Sequence, residues 1–270
     1  MRFKLARTIK ANTMAVNERF DFTGRVVLVT GGGKGIGKVY VEEFAKAGAR
    51  VAAADIDADA AKKVADSLAK AGLDAIGLGV DIASEDSARA MMQAALDRYG
   101  TIDVLINNAS LMSALSRRSW LEIPVEEWDR VMAVNLRGMF LCCRAAFPAM
   151  KAQKRGKIVN ISSSRVWEGA PNRLHYTTSK AGVIGFTRAL AREVGEFGIT
   201  VNAITPGMTQ SETQVATSSG NYLATRIAGR TIERAQFPAD LVGAVMFLSS
   251  PASDFMTGQT INVDGGKSMH

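Results

Sequence analysis

The chain has 270 residues, 47% of them hydrophobic, and a formal net charge of +7. That length and apolar content suffice to bury a substantial core as one domain, while no apolar run is long enough to span a bilayer and no His, Cys and Asp cluster has metal-ligand spacing. The two cysteines, Cys142 and Cys143, are adjacent on a predicted helix, which rules out a disulfide framework and makes a reducing cytoplasm the expected setting.

Residues 1–20 come first and carry most of the charge. Arg2, Lys4, Arg7, Lys10 and Arg19 oppose only Glu18, so this segment holds +4 of the +7 and leaves +3 for residues 21–270. It lacks the apolar core of a secretory signal and is expected to be a flexible extension, with an over-long start (Met14 as the true beginning) as the alternative. The remaining +3, without a basic stripe of interleaved aromatics, argues against nucleic acid as a partner.

From residue 21 onward, apolar runs predict strands near 26–30, 50–54, 75–81, 102–107, 157–163, 199–204 and 260–263. Helical stretches separate most of them, so the expected fold class is α/β, doubly wound, with a mostly parallel sheet of about seven strands and helices on both faces. The run Val26-Val27-Leu28-Val29 is unbroken, as in a strand buried on both sides. It enters Thr30-Gly31-Gly32-Gly33-Lys34-Gly35-Ile36-Gly37, and a helical stretch follows to Ala47 and stops at Gly48. Strand, glycine-rich turn and helix together let backbone N–H groups and the positive helix end meet a pyrophosphate. The spacing is Thr-Gly-x-x-x-Gly-x-Gly, with Gly31, Gly35 and Gly37 as fixed points; such a turn alone is weak evidence, because glycines also serve plain tight turns. Eighteen residues after Gly37 stands Asp55, closing the run Val51-Ala-Ala-Ala54. An acid about 20 positions on is where a ribose 2′-hydroxyl is held, and after this turn that role outranks a plain strand-end residue.

Further along, Tyr176 and Lys180 lie four residues apart, soon after the Ser-ended run Ile158 to Ser163. Residues at i and i+4 share a helix face. A lysine cation about 4 Å from a phenol, at an effective dielectric of about 20, favours the phenolate by about 4 kcal/mol, or roughly three pKa units. Desolvation opposes part of this gain. In isolation the pair would more often be a surface coincidence; the nucleotide-binding pattern upstream reverses that weighting.

These residues resemble a known family. Thr30 to Gly37, Asn107-Asn108-Ala109, Asn135, Ser163 and Tyr176-x-x-x-Lys180 follow the pattern of short-chain dehydrogenases/reductases in order and spacing. Asn202-Ala-Ile-Thr-Pro206-Gly207 and Thr257 to Gly266 are similar to the family's last strands. One departure is Ser110, where the family usually has glycine. The resemblance implies a single Rossmann-fold domain over 21–270 with a substrate lid near 208–236. It implies Tyr176 as acid/base, Ser163 as the donor to the substrate oxygen and Lys180 as the residue that tunes Tyr176 and holds the nicotinamide ribose. Asn135, on a helix starting near Pro124, would keep a water-linked proton path to the lysine. Of the neighbouring serines, Ser162 and Ser164 are expected to satisfy strand-end backbone. Gly31, Gly33, Lys34, Gly35, Ile36 and Gly37 would meet the pyrophosphate, and Asp55 and Ile56 the adenosine ribose and its surroundings. Asp81 and Ile82 would approach the adenine, Asn108 and Ala109 the adenosine ribose, and Pro206, Gly207, Thr209 and Ser211 the nicotinamide. Ser211 stands where threonine is common.

Cofactor choice rests on two residues that disagree. Asp55 repels a 2′-phosphate, since two negative charges about 6 Å from a carboxylate cost roughly 5 kcal/mol at a dielectric of about 20. Lys34 is where phosphate-binding relatives often carry a base, but a solvated loop lysine gains little, so NAD is expected over NADP. Segments 111–123, 164–175 and 208–236 are expected to build the substrate wall, bringing Trp120, Arg165, Trp167, Asn172, Arg173, His175 and Tyr222 toward the mouth. Trp167 and Tyr222 either pack on a substrate ring or cover core, and His175 is read as a helix-entry residue. Three functions follow: an NAD-dependent dehydrogenase of a secondary alcohol (cyclic, aromatic or polyol), an NADPH-dependent 3-oxoacyl thioester reductase whose acidic carrier would suit Arg117, Arg118, Arg165 and Arg173, and a non-catalytic dinucleotide-binding protein. The intact Asn135, Ser163, Tyr176 and Lys180 set disfavours the third. A homotetramer is the expected assembly, with a small-molecule partner and neither nucleic acid nor membrane.

Overall fold

A computed structural model describes residues 20–212 and 227–269; the segment 1–19, the middle of the expected lid (213–226) and with it Tyr222 lie outside the described residues. Seven strands form one parallel sheet in the order β3-β2-β1-β4-β5-β6-β7. They are β1 (Val26–Thr30), β2 (Arg50–Asp55), β3 (Ala75–Gly79), β4 (Val104–Asn107), β5 (Gly156–Ile161), β6 (Ile199–Pro206) and β7 (Thr260–Val263). β1, β4 and β5 are buried at every residue, the outcome that unbroken apolar runs require when both faces are covered.

Two apolar layers sandwich the sheet. Val27, Val29, Val51 and Ala53 point to one face and pack with Tyr40, Phe44, Leu68, Leu241 and Val245. That layer is built by α1 (Gly35–Lys46), α2 (Ala58–Lys70) and the last helix, here α8 (Ala239–Ser249). Alternate residues Val26, Leu28, Ala52 and Ala54 point to the other face and pack with Met91, Met92, Cys142, Met150 and Val183. Those come from α3 (Glu85–Tyr99), α5 (Met139–Ala152) and α7 (Leu174–Val194). Both cysteines are buried and free. Two shorter helices, α4 (Val125–Met132) and α6 (Arg165–Glu168), lie at the carboxyl end of the sheet.

Between α4 and α5 the chain does not break. Residues Ala133–Gly138 widen into a π-type turn that carries Asn135, a distortion that recurs at functional sites. The strand order reverses between β1 and β4, so their connections leave in opposite directions and open a crevice at the carboxyl ends. That is where ligands bind in open α/β sheets. No helix among the described residues is long and apolar enough to cross a membrane.

Candidate active site

The carboxyl ends of β1, β2, β4, β5 and β6 open onto a cavity of about 630 Å³. At the β1 end, the chain turns through Gly31 and Gly35, both at positive φ (65° and 57°), where a side chain would be strained. A Cβ on Gly31 would stand 2.9 Å from Ala109 Cα and Asn108 Nδ2, and one on Gly37 would collide with the Gly31 carbonyl. The turn is therefore drawn tightly against the end of β4. Asn108 makes that closure: its side-chain amide donates to the carbonyls of Thr30 (3.0 Å) and Gly31 (3.1 Å). In return, the backbone N–H groups of Asn108 and Ala109 donate to Thr30 Oγ1.

The neighbouring β2 edge is acidic. Asp55 accepts from Gly33 N through Oδ2 (2.9 Å) and from Asp57 N through Oδ1 (3.0 Å). Lys34 donates to Asp57 Oδ2 at 2.6 Å. At the start of α1, Glu212 Oε1 accepts the Gly35 N–H at 3.1 Å. A carboxylate thus sits at the positive end of the helix, where anions are favoured.

At the β5 end, Tyr176 lies in the first turn of α7 and Lys180 one turn on; both are buried, as is Ser163 just after β5. All three line the cavity. Burial raises the Tyr176 pKa above the ordinary phenol value, while its hydrogen bond with Ser163 and the nearby guanidinium groups of Arg165 and Arg173 pull it down. Lys180 donates to the Ile161 carbonyl at 2.8 Å and lies 5.8 Å from the centre of the Tyr176 ring. Its burial pushes its pKa down to about 7. Ser162 Oγ donates to the Lys180 carbonyl at 2.7 Å, tying α7 to the end of β5. Among the described residues no group of acidic, His and Cys side chains could hold a metal ion.

Residues 31–268 match the family model described as enoyl-(acyl carrier protein) reductase. A (2S)-[(R)-hydroxy(phenyl)methyl]succinyl-CoA dehydrogenase subunit of Thauera aromatica is 38% identical over 248 residues, which cover 91% of this chain and 97% of that one. A 3-oxoacyl-[acyl-carrier-protein] reductase of Synechocystis is 37% identical over 254 residues, covering 92% and 98%. The crystal structure of a short-chain type dehydrogenase/reductase from Mycobacterium marinum superposes with a TM-score of 0.86 at 34% identity, covering 95% of this chain and all of that one. The chain belongs to the short-chain dehydrogenase/reductase family. It is an oxidoreductase of the NAD(P)-dependent kind that defines the family.

Within this dehydrogenase/reductase, most expected site residues line the cavity: Gly31, Lys34, Gly35, Ile36, Asp55 and Ile56 on one side, and Asp81, Ile82, Asn108 and Ala109 beside them. Ser163, Tyr176, Lys180, Pro206, Gly207, Thr209 and Ser211 line the rest, as does Ser110, the residue that departs from the family's glycine. Gly33 and Gly37 do not line it. The Gly33 N–H is committed to Asp55, and Gly37 faces the Gly31 backbone. Asn108 lines the cavity, but its amide is committed to the β1 turn. The Lys180 ammonium turns to the Ile161 carbonyl, and the groups that pull the Tyr176 pKa down are Ser163, Arg165 and Arg173. Asp81 follows β3 rather than ending it.

Asn135 stands behind the cavity wall. Its Oδ1 accepts from Leu111 N at 2.7 Å, and its Nδ2 donates to Ser179 Oγ at 3.0 Å. It thereby ties the loop after β4 to α7. Ser164 donates to Glu168 at 2.8 Å, so its hydroxyl serves α6 instead of strand-end backbone. Trp167 donates to Thr205 Oγ1 at 3.1 Å and covers the end of β6, off the cavity. Trp120 is exposed. Asn172, at φ 67°, offers its carbonyl to Arg118 N. His175 is fully buried away from the cavity against Glu127 (3.1 Å), and burial holds its pKa below the usual imidazole value. Arg165 and Arg173 reach the cavity beside Tyr176. Their guanidiniums are propped on loop carbonyls, of Ala170 and Pro171 for Arg165 and of Leu115 for Arg173. Sequence reading missed Asp57, Arg130 and Glu212. Of these only Asp57 left a signal, an acid two residues after Asp55 and just before a helix, the pattern of an N-cap.

Proposed function

We propose that the protein is an NAD-dependent dehydrogenase that interconverts a secondary alcohol (cyclic, aromatic or polyol) and its ketone. The observation that carries this reading is the burial of Tyr176, Ser163 and Lys180 together at one end of a cavity whose other end is the Asp55 edge. The residues fit a nicotinamide dinucleotide: a Cβ would fill the space at Gly31, and the Gly35 N–H at the start of α1 already donates to a carboxylate, that of Glu212. Gly31, Lys34, Gly35 and Ile36 would border its pyrophosphate, Asp55 its adenosine ribose, and Lys180, Pro206, Gly207 and Thr209 its nicotinamide half. When bound, the dinucleotide supplies the hydride acceptor.

The chain's own residues handle the proton and the geometry. Ser163 donates a hydrogen bond to the substrate oxygen and fixes the carbinol carbon in the cavity. Tyr176 takes the hydroxyl proton as that carbon gives up its hydrogen as hydride and the C–O bond becomes C=O. In the reverse direction Tyr176 returns the proton. Positive charge from Arg165 and Arg173 favours the phenolate against the penalty of burial. Asn135 acts at one remove by holding Ser179 and Leu111.

A second reading, 3-oxoacyl thioester reduction with NADPH, is favoured by the two guanidiniums beside Tyr176 and by the Synechocystis relative's name. A paired turnover screen with NAD and NADP, against secondary, cyclic and aromatic alcohols, sugars and 3-oxoacyl thioesters, separates the two. NAD-linked oxidation of one alcohol class is expected. NADPH-linked reduction of a thioester with no alcohol turnover would replace the first reading with the second.

A further inference from the structure

Lys34 lines the cavity beside Asp55, at the position where the family resemblance puts a base for a 2′-phosphate, and it is already occupied. Its Nζ lies 2.6 Å from Asp57 Oδ2, with both side chains about half exposed (53% and 40%). Exposed ion pairs are ordinarily worth little, because both partners wander. Here one partner does not wander. Asp57 Oδ1 accepts the Ala60 N–H at 3.0 Å and caps α2. The Asp57 N–H donates to Asp55 Oδ1, and Asp55 Oδ2 in turn accepts from Gly33, the residue before Lys34. A closed circuit of Gly33, Asp55, Asp57 and Lys34 therefore holds the carboxylate at a fixed point within reach of the lysine. The charges agree with the geometry: the Asp57 hydrogen bond raises the Lys34 pKa and lowers that of Asp57. Asp57 itself lines the cavity with Asp55.

We infer that Asp57 is a cofactor-specificity residue that sequesters Lys34 and so keeps the glycine turn from accepting the 2′-phosphate of NADP. This rests on the reading of the cavity as a dinucleotide site. Asp55 repels the phosphate directly; Asp57 acts through Lys34 by occupying the cation that would otherwise offset that repulsion. Specificity of this kind is a difference between two affinities, achieved as much by withholding a partner from the wrong ligand as by serving the right one.

The test measures Kd for NADH and NADPH by nicotinamide fluorescence, with no substrate present, on the wild type, Asp57→Asn, Lys34→Ala and the double variant. Asparagine is a good N-cap, so Asp57→Asn keeps the start of α2 while ending the ion pair; Asp57→Ser, another good cap, is the control for a folding artefact. The Kd ratio of NADPH to NADH is expected to fall about tenfold in Asp57→Asn and in Asp57→Ser, and by less than about twofold when Asp57→Asn is made in Lys34→Ala. An unchanged ratio in both Asp57 variants would overturn the inference. So would an equal fall with and without Lys34, which would make Asp57 a plain repelling charge. The wild-type ratio judges the NAD preference separately: tighter NADPH binding there would contradict that preference and leave the Asp57 comparison intact.

Discussion

At the scale of single residues, the site is organised by polar side chains that chose distant partners. Lys180 is the costliest. Its ammonium is buried with one carbonyl as hydrogen-bond partner, that of Ile161, and its pKa is pushed down to about 7. The sign of the linked effect is definite. A lysine whose folded pKa lies below its unfolded value binds fewer protons in the folded state between about pH 7 and 10.5, so this group makes stability rise with pH across that window. Below pH 7 the penalty is complete. Lys180→Met removes it, and is expected to abolish turnover while raising Tm by at least about 5 °C at pH 6, with a much smaller gain at pH 10. Thermal unfolding of both proteins at the two pH values checks this; an equal or larger gain at pH 10 would show that Lys180 is not buried as an unfavourable cation. Asn108, Ser162 and Asn135 are satisfied in the same long-range way. That is why their partners were not legible in the sequence: each bond spans between 18 and 78 residues of chain.

At the scale of elements, positions were legible because strands covered on both faces leave unbroken apolar runs. The runs ending at Thr30, Asp55 and Asn107 end in the structure where the residue pattern places them. β3 is shorter than expected, stopping at Gly79 rather than residue 81, because Asp55 is the last β2 residue available to pair with it. The π-type turn at Ala133–Gly138 has no mark in residue periodicity. The approach of α2 to β3 was also hidden, and it depends on one glycine. A Cβ on Gly77 would lie 2.5 Å from both the N and Cα of Lys62 and 2.6 Å from the Ala61 carbonyl carbon. Those are backbone atoms, so relief requires the whole of α2 to move. Gly77→Val is expected to cost at least about 2 kcal/mol by overpacking and to weaken dinucleotide binding, since α2 carries Asp57 at its cap. Urea unfolding and NADH titration measure the two effects; wild-type values for both would mean that α2 is not seated through Gly77.

At the scale of the whole molecule, the family and its sheet were readable from motif order, and the comparisons and topology agree. The substrate was not readable, because the segments expected to shape its wall carry no periodicity, and part of the expected lid lies outside the described residues. The homotetramer is what the family resemblance implies, and the exposed apolar side chains are compatible with it. Val125, Phe140 and Leu174 are exposed on α4, α5 and α7, and Phe255 is fully exposed near β7, surfaces that a homotetramer would cover. Light scattering is expected to give four chains, and a monomer would contradict that assembly. The proposed chemistry turns on Tyr176 as the acid/base of a dinucleotide-linked oxidation. Its most direct test is Tyr176→Phe, measured for NADH affinity and for kcat on the alcohol that the wild type oxidises. In this variant kcat is expected to fall at least about a hundredfold with NADH affinity within a few fold of wild type. Retention of kcat in a protein that still binds NADH would contradict it.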